Sequence, residues 1–149
     1  MNVKDRLNEL GYEYSPAPVE VLTFHSAVRH GSLVYTSGQI PLLGDMAIKG
    51  KVGAEVDLGM AQKAAEICAF NCLRAVGAVC DIESVERVVK VLGMVNTAPG
   101  FNDTSSVING CSEFLTRVFG DRGFHARSAV GMVLPGDWAV EVEMVVAVS

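Results

Sequence analysis

The stretch GFHARSAVGMVLPGDWAVEVEMVVAVS, residues 123–149, decides the fold. It contains two runs rich in apolar and β-branched residues, separated by the sequence LPGD at residues 134–137. Pro fixes φ for a turn and Gly accepts a positive φ, so this pattern predicts a β-hairpin. The second run alternates through VEVE at residues 140–143 and then becomes apolar throughout, which is typical of a strand covered on both faces.

Three charged side chains lie within the predicted hairpin: Arg127, Glu141 and Glu143. Charges inside a sheet require a partner, a ligand or water. Arg127 is therefore either a structural residue paired with a glutamate or a ligand-binding residue. If the turn holds an even number of residues, both glutamates share a face with Ser128 and Val130; an odd number puts them on the face of Arg127. The sequence leaves both questions open.

Length and composition indicate one domain with an excess of apolar surface. The chain has 149 residues, half of them hydrophobic, and a size of about 100–200 residues is usual for one domain. More apolar surface is available than a small domain hides, so oligomerisation is expected. No apolar run approaches the ~20 residues of a membrane helix, and the N-terminus lacks the apolar core of a signal peptide. We therefore predict a cytoplasmic protein.

Charge, cysteine and histidine patterns argue against several classes of function. The net charge is −5 and no cluster of Lys and Arg occurs, which disfavours nucleic acid as a partner. Two of the four cysteines are spaced i, i+4 in an Ala-rich helical pattern without zinc-ligand spacing, so small, buried, reduced residues are expected. The three histidines are scattered. The sequence predicts neither a metal site nor a cofactor; the residues considered are Cys68, Cys72, Cys80, Cys111, His25, His30 and His125.

Periodicity and capping residues predict the order β-β-(β)-α-β-α-β-β after a short N-terminal helix. Asp57 is the predicted N-cap of a long first core helix, and Asn102 or Asp103 caps the second, which ends before Gly120. Neither an internal repeat nor a second domain is predicted. The other predicted elements are a helix over 3–10, strands over 19–28 and 32–37 around a turn at 29–31, a loop over 42–55 with a short strand near 46–48, and a strand over 85–95.

Several motifs, in order and at compatible spacing, resemble the YjgF/YER057c/UK114 (RidA, reactive intermediate deaminase) family. They are YTSGQIP at 35–41, NGCSEFL at 109–115, HARSAV at 125–130, and LP at 134–135 followed by VEVE at 140–143. The match covers a core over residues 19–149, and the N-terminal extension over 1–18 is similar to that of a longer bacterial branch. The resemblance implies an α+β, chorismate-mutase-like fold in which two helices pack on one face of a mostly antiparallel sheet. It also implies a homotrimer with ligand clefts between subunits.

The resemblance implies that Arg127 holds a substrate carboxylate, for which a planar guanidinium fork is well suited. It also implies that Glu141 positions or activates water, as a partly desolvated carboxylate can. Glu143 occupies the next position on the same face, and the spacing from Arg127 to Glu141 is slightly shorter than the usual family pattern. The choice between the two glutamates therefore stays open.

Four further residues match cleft-lining positions in part. Ser37 and Gly38 correspond to a Ser-Gly pair that binds the amine or the water, although a tight turn at a strand end explains them equally well. Asn109 matches a helix residue that faces the cleft, with capping or subunit contact as alternatives. Phe24 stands where many members carry a tyrosine, which keeps an aromatic wall and loses the hydroxyl.

The implied function is hydrolytic deamination of enamine or imine acids such as 2-aminoacrylate, giving 2-oxo acids and ammonia without metal or cofactor. The expected partners are small 2-oxo and 2-imino carboxylic acids and other copies of the chain. A module that binds or senses small carboxylates on the same fold, without catalysis, is the alternative. Ribonuclease activity, which has been attributed to the family, is disfavoured by a pI of about 5.1.

Overall fold

A computed structural model describes all residues, 1–149, as an α+β domain with three helices and a five-stranded main sheet. The helices are α1 (Val3–Glu9), α2 (Leu58–Gly77) and α3 (Thr104–Phe119). The strands are β1 (Glu20–Val21), β2 (Phe24–His25), β3 (Ala27–His30), β4 (Leu33–Thr36), β5 (Leu42–Leu43), β6 (Met46–Ala47), β7 (Val85–Asn96), β8 (Ala126–Met132) and β9 (Val140–Val148).

The main sheet has the order β3-β4-β9-β7-β8, so the predicted C-terminal hairpin is wrong. Strand β7 lies between β8 and β9, parallel to β8 and antiparallel to β9. The LPGD segment does bend sharply, with φ of 63° at Gly136 and 57° at Asp137, so its turn chemistry was recognised correctly. The bend carries the chain across the end of β7 instead of folding β9 back on β8. Strand β9 pairs with β4 on one side and with β7 on the other, but its side chains are fully buried on one face only, so the predicted cover on both faces is not found within one chain.

One face of the sheet is covered by α2 and α3, and the predicted helix boundaries are confirmed. The Asp57 side chain accepts a hydrogen bond from the Met60 N–H, and Asp103 does the same for Ser106. Helix α3 ends at Gly120, whose φ is 62°. The alternate residues Val140, Val142, Met144, Val146 and Val148 of β9 point at these helices and are buried.

Helix α3 approaches both its neighbours closely because of one glycine in each contact. A Cβ built on Gly110 would lie 2.1 Å from the main-chain oxygen of Gln62 on α2. A Cβ on Gly93 of β7 would lie 2.5 Å from the Ile108 side chain. These contacts fix the height of α3 above the sheet, and with it the positions of the polar residues that α3 carries.

The N-terminal segment is part of the hydrophobic core. Leu7 of α1 is fully buried, and the Tyr12 ring packs against Phe70 and Phe114 with centroids 4.7 and 5.2 Å away. The Tyr12 hydroxyl donates to Glu66, and desolvation together with this bond raises the pKa of Tyr12 to about 12. Removal of this segment would therefore uncover apolar surface on both core helices.

Residues 19–37, predicted as two strands, form four short ones. Leu22 has a φ of 52° and interrupts the first predicted strand, so β1 and β2 form a separate two-stranded ribbon. The turn between β3 and β4 lies at 31–32, one residue later than predicted, since His30 pairs with Leu33. The short strand predicted near 46–48 is confirmed as β6, which pairs with β5.

The cysteines are reduced, and three of them are fully buried, as their helical spacing predicted. Cys68 and Cys72 of α2 and Cys111 of α3 have no surface exposure. Desolvation raises the pKa of the Cys111 thiol to about 12 and raises the pKa values of Cys68 and Cys72 well above the ordinary value of a thiol. Such thiols stay protonated and pack as small apolar residues.

The other face of the main sheet, here called the open face, is not covered by any element of the chain. Cross-strand pairing places Tyr35 of β4, Val145 and Glu143 of β9, Leu92 of β7 and Ser128 of β8 on this face. The face is mostly apolar, and Val28, Tyr35, Val130 and Met132 are each more than a third exposed. None of the helices is both long and apolar enough to cross a lipid bilayer.

Candidate active site

Arg127, on edge strand β8, is held by polar groups of α3. Its Nη1 donates to Asn109 Oδ1 at 2.9 Å and to Ser112 Oγ at 3.1 Å, and its Nη2 donates to Ser105 Oγ at 2.7 Å. A further contact from Nη2 to the Ser105 carbonyl is long, at 3.4 Å. The guanidinium is thereby oriented, while its Nε–H has no acceptor in the chain. This Nε–H, and the Nη2 hydrogen whose only contact is the long one to the Ser105 carbonyl, are the donors available to a carboxylate.

Ser112 links Arg127 to His125. The Ser112 Oγ lies 2.9 Å from His125 Nε2, and His125 Nδ1 lies 2.6 Å from the Gly123 carbonyl oxygen. Desolvation is the main cause that lowers the pKa of His125, and the Arg127 charge lowers it further, against the bond to Gly123. The imidazole is therefore neutral at pH 7.

These residues line a cavity of about 360 Å³ at the edge of the sheet. Its wall is almost entirely polar: Asn109, Ser112, Glu113 and Thr116 from α3, with Phe124, His125 and Arg127 from the segment that leads into β8. The wall presents the positive charge of Arg127 beside neutral hydroxyl and amide groups, with Glu113 as its one acidic residue. The cation and the neutral donors suit a small anion that carries few apolar groups.

Glu141 forms a second cluster with Gly38, on the open face. A Cβ built on Gly38 would lie 2.1 Å from Glu141 Oε2, so the carboxylate rests directly against the glycine backbone. The segment around Gly38 is held there because Gln39 exchanges two main-chain hydrogen bonds with Val142. Burial is the main cause that raises the pKa of Glu141, and the neighbouring Glu143 raises it further.

Ser37 directly precedes Gly38 in the sequence and Phe24 lies 14 residues before it, and the two side chains have different surroundings. The Ser37 hydroxyl donates to the His25 carbonyl at 2.6 Å, so it offers only lone pairs to a ligand while that bond persists. Phe24 is in the β1–β2 ribbon and is 52% exposed. An exposed aromatic ring at this position is available to a ligand or to another copy of the chain.

Within one chain, Arg127 and Glu141 lie on opposite faces of the sheet. Arg127 pairs with Val91, which shares the covered face with Met144, whereas Glu141 pairs with Met94 on the open face. Both glutamates therefore share a face with Ser128 and Val130, the first of the two arrangements that the sequence left open. Arg127 forms no ion pair with either glutamate, so the structural pairing considered above is wrong.

The contribution of Ser105, Ser112 and His125 to the Arg127 cluster was missed in the sequence. Two features of the sequence pointed to these contacts, but both are weak. His125 precedes Arg127 by two residues and so shares its face in an extended chain, and Ser112 follows Asn109 by three residues on one helix face. Scattered histidines and serines carry no such meaning until a helix is known to cross the strand.

The fold and these clusters define a class: small α+β domains with helices on one sheet face and an arginine-centred polar cavity at the sheet edge. The family model described as Endoribonuclease L-PSP matches residues 15–148, and the chain belongs to this family, which is also called the YjgF/UK114 family. The resemblance inferred from the motifs is thus confirmed.

Individual relatives agree with this assignment. Protein TCP17 of Trypanosoma cruzi is 36% identical over 152 residues, covering 99% of this chain and 94% of its own. The crystal structure of Atu1372 from Agrobacterium tumefaciens, a protein of unknown function, is 38% identical, with a TM-score of 0.89 over 99% of this chain and 92% of its own. Escherichia coli TdcF with bound serine is 25% identical, with a TM-score of 0.63 over 89% of this chain and 94% of its own.

Proposed function

We propose that this protein hydrolyses small 2-imino acids, and the enamines in equilibrium with them, to 2-oxo acids and ammonia. The family supports a role on small molecules of this kind or as an endoribonuclease. We further propose that the site lies in a cleft between subunits of a homotrimer, with Arg127 from one copy and Glu141 and Gly38 from the next.

The observation that carries this proposal is the separation of the two clusters. Arg127 can hold a carboxylate, and Glu141 can exchange a proton, but the sheet stands between them in one chain. A single small substrate therefore meets both only if a second copy brings its open face to the β8 edge of the first. The uncovered apolar residues of that face supply a reason for such an association.

The polar cavity at Arg127 supports a carboxylate as the recognised group. The Nε–H and Nη2 donors of Arg127 would bind the two carboxylate oxygens, and Asn109 and Ser105 would keep the guanidinium from rotating away. The serine bound to TdcF also carries a carboxylate next to an amino-bearing carbon. The ligand class thus follows from the donors and agrees with one relative.

Glu141 would supply the proton transfers. As the water oxygen bonds to the imine carbon, the C=N π electrons move to nitrogen, and Glu141 takes a proton from the water. Glu141 then returns this proton to the amine nitrogen of the tetrahedral intermediate. The C–N bond breaks as C=O forms, and the hydroxyl proton leaves with ammonia. A carboxyl group whose pKa is raised by burial is suited to both directions of transfer near neutral pH.

A carboxylate-binding module without catalysis remains the alternative, and one observation favours it. Three of the four hydrogen bonds that the Nη atoms of Arg127 donate are short, and all their acceptors belong to the same chain. The guanidinium is thus already oriented for binding, and no residue such as Glu141 is needed for this. Ribonuclease activity receives no such support, since the chain carries a net charge of −5.

The test is the rate at which 2-iminobutanoate, generated in the assay by an amino-acid dehydratase, disappears as measured by semicarbazide trapping. We expect the wild-type protein to accelerate the loss and Arg127→Ala to abolish most of it. Arg117→Ala, at an exposed arginine elsewhere on α3 that bonds Glu66, is the matched control and should keep the wild-type rate. No rate above buffer, with 2-oxobutanoate still bound, would establish the binding module instead.

The selectivity of binding gives a second check on Arg127. We expect 2-oxobutanoate to bind and its amide not to bind, because only the carboxylate can accept two parallel hydrogen bonds from the guanidinium. Arg127→Lys should lose most of this preference, since an ammonium is a point charge without the fork. Calorimetry that gave equal affinities for the acid and the amide would remove the anchor role.

A further inference from the structure

The hydrogen bonds around Ser112 fix where its proton lies. The Gly123 carbonyl only accepts, so His125 Nδ1 must carry the hydrogen that joins them. In a neutral imidazole, Nε2 is then an acceptor, and the Ser112 hydroxyl must donate to it. Ser112 Oγ in turn accepts from Arg127 Nη1. With neutral His125, Ser112 therefore has no hydrogen left for a ligand in the cavity that both residues line.

Protonation of His125 reverses this arrangement. The Nε2 atom becomes a donor, and Ser112 Oγ can accept from it and from Arg127 Nη1 with its two lone pairs. The hydroxyl hydrogen is then released and can turn into the cavity. A carboxylate beside Arg127 would gain one hydrogen bond from Ser112 together with the charge of an imidazolium behind it.

We propose that Ser112 and His125 form a second half of the carboxylate site at Arg127, which binds the anion only when His125 takes up a proton. The proposal takes its ligand class, the 2-oxo and 2-imino carboxylates, from the proposed function and rests on it. It gives a role in specificity to two residues that the proposed reaction does not require. The proton comes from solvent and remains on the imidazole while the ligand is bound. His125 makes no bond to the substrate and is a positioning residue.

The charges around the imidazole favour uptake of a proton only after an anion arrives. Without a ligand, burial and the Arg127 cation keep His125 neutral. A bound carboxylate offsets that cation and raises the affinity of His125 for a proton, and by linkage the proton raises the affinity for the carboxylate. Arg127 on β8 and Glu113 on α3 are the charged residues that line the cavity with the ring. Arg87 on β7 bonds the carbonyl of Phe124, the residue before His125, and Asp121 and Arg122 lie in the turn over residues 120–123 that precedes it.

The experiment measures the affinity for 2-oxobutanoate by calorimetry from pH 8 to pH 5, over which the ligand stays ionised. We expect the affinity to rise by about ten- to hundredfold, the usual worth of a hydrogen bond to a charged group. Proton uptake should appear as a dependence of the binding heat on the buffer. In Ser112→Ala the rise should shrink to a few-fold, from the imidazolium charge alone. In His125→Gln it should vanish, and the control His30→Gln, on β3, should behave as wild type.

A second measurement needs no ligand. Nitrogen-15 spectra of the free protein at pH 7.5 should show neutral His125 as the Nδ1–H form; the Nε2–H form would overturn the proposal. An affinity independent of pH, with binding still lost in Arg127→Lys, would overturn this inference and leave the carboxylate anchor intact. Failure of the wild type to bind 2-oxobutanoate, or equal binding by Arg127→Lys, would overturn the anchor and this inference together.

Discussion

Glu141 combines two properties that rarely occur together in a purely structural residue. Its carboxylate is partly buried beside a second carboxylate, and it rests on a glycine with no cation within ion-pair distance. Burial, and then Glu143, raises its pKa in the folded protein. The folded state thus binds a proton more tightly than the unfolded state does. Stability is therefore lost as the pH rises through the raised pKa, so Glu141 contributes less to stability above that pKa than below it.

Glu141→Gln should consequently stabilise the protein at pH 7 while removing activity. The gain in the free energy of unfolding should disappear below about pH 4, where the wild-type group is neutral in both states. Turnover should fall by about 10²–10⁴, the usual worth of a positioned acid–base group. Urea unfolding at several pH values and the imine assay measure the two effects. Glu143→Gln is the matched control, and a larger loss of turnover there would move the role to Glu143.

Gly38→Ala should separate the position of Glu141 from its chemistry. The new Cβ would meet the far end of a flexible side chain, so the fold should survive and the carboxylate should move. We expect turnover to fall by at least about tenfold, since displacement of about 1 Å can cost two orders of magnitude. Calorimetric affinity for 2-oxobutanoate should stay within a factor of two or so of wild type. Unchanged turnover would show that the contact between Gly38 and Glu141 has no catalytic meaning.

At the scale of elements, local signals predicted helix ends correctly and failed for strand partners. Asp57, Asp103 and Gly120 act through bonds or dihedrals within four residues, which the sequence contains in full. The LPGD bend was recognised for the same reason. The insertion of β7 between β8 and β9 depends on contacts over more than 30 residues, on which turn chemistry has no influence.

The candidate site shows the same difference between local signals and contacts that are distant in the sequence. Arg127 and Glu141 could be singled out as charges in an apolar stretch, and the family motifs assigned them roles. Which face each occupies depended on the pairing with β7, which the sequence did not reveal. Ser105 could not be identified, because its contact with Arg127 requires α3 to cross β8 at one height.

The height of α3 above the sheet depends on its close contact with α2, and this contact gives a prediction. In Gly110→Ala the new Cβ would meet the main chain at Gln62, which cannot move aside as a side chain can. We expect the free energy of unfolding to fall by about 1–3 kcal/mol, as for other overpacked sites. Gly59→Ala, also in a helix, is the control, because its new Cβ would meet only Asp57 Oδ1 at 3.7 Å. Its free energy of unfolding should rise by up to about 1 kcal/mol, since Ala favours the helix more than Gly does. Both are measured by urea unfolding at one protein concentration. An equal gain for both variants would contradict the close packing.

For the whole molecule, the open face determines the expected state in solution. Light scattering should give three times the chain mass of 15.8 kDa at micromolar concentration. Leu92→Asp adds a carboxylate to the middle of the open face, which already carries Glu141 and Glu143. We expect this variant to be monomeric, because the added charge opposes association through that face. Met60→Asp, an exposed apolar residue on α2, should leave the mass unchanged. A wild-type monomer would remove the cleft between subunits and leave the binding module.

Loss of the proposed trimer should also separate binding from turnover. Monomeric Leu92→Asp keeps the complete Arg127 cluster, since all its partners belong to α3 of the same chain. We therefore expect it still to bind 2-oxobutanoate but to hydrolyse the imine no faster than buffer.

The position of β9 also constrains how the protein is made. Of the five strands of the main sheet this one is synthesised after the other four, yet it lies in the middle of the sheet, between β4 and β7. Until Val148 has left the ribosome, those two strands have no common partner, and the helices have no complete surface to pack on. The nascent chain therefore carries unpaired strand edges until β9 has been made, and such edges favour aggregation.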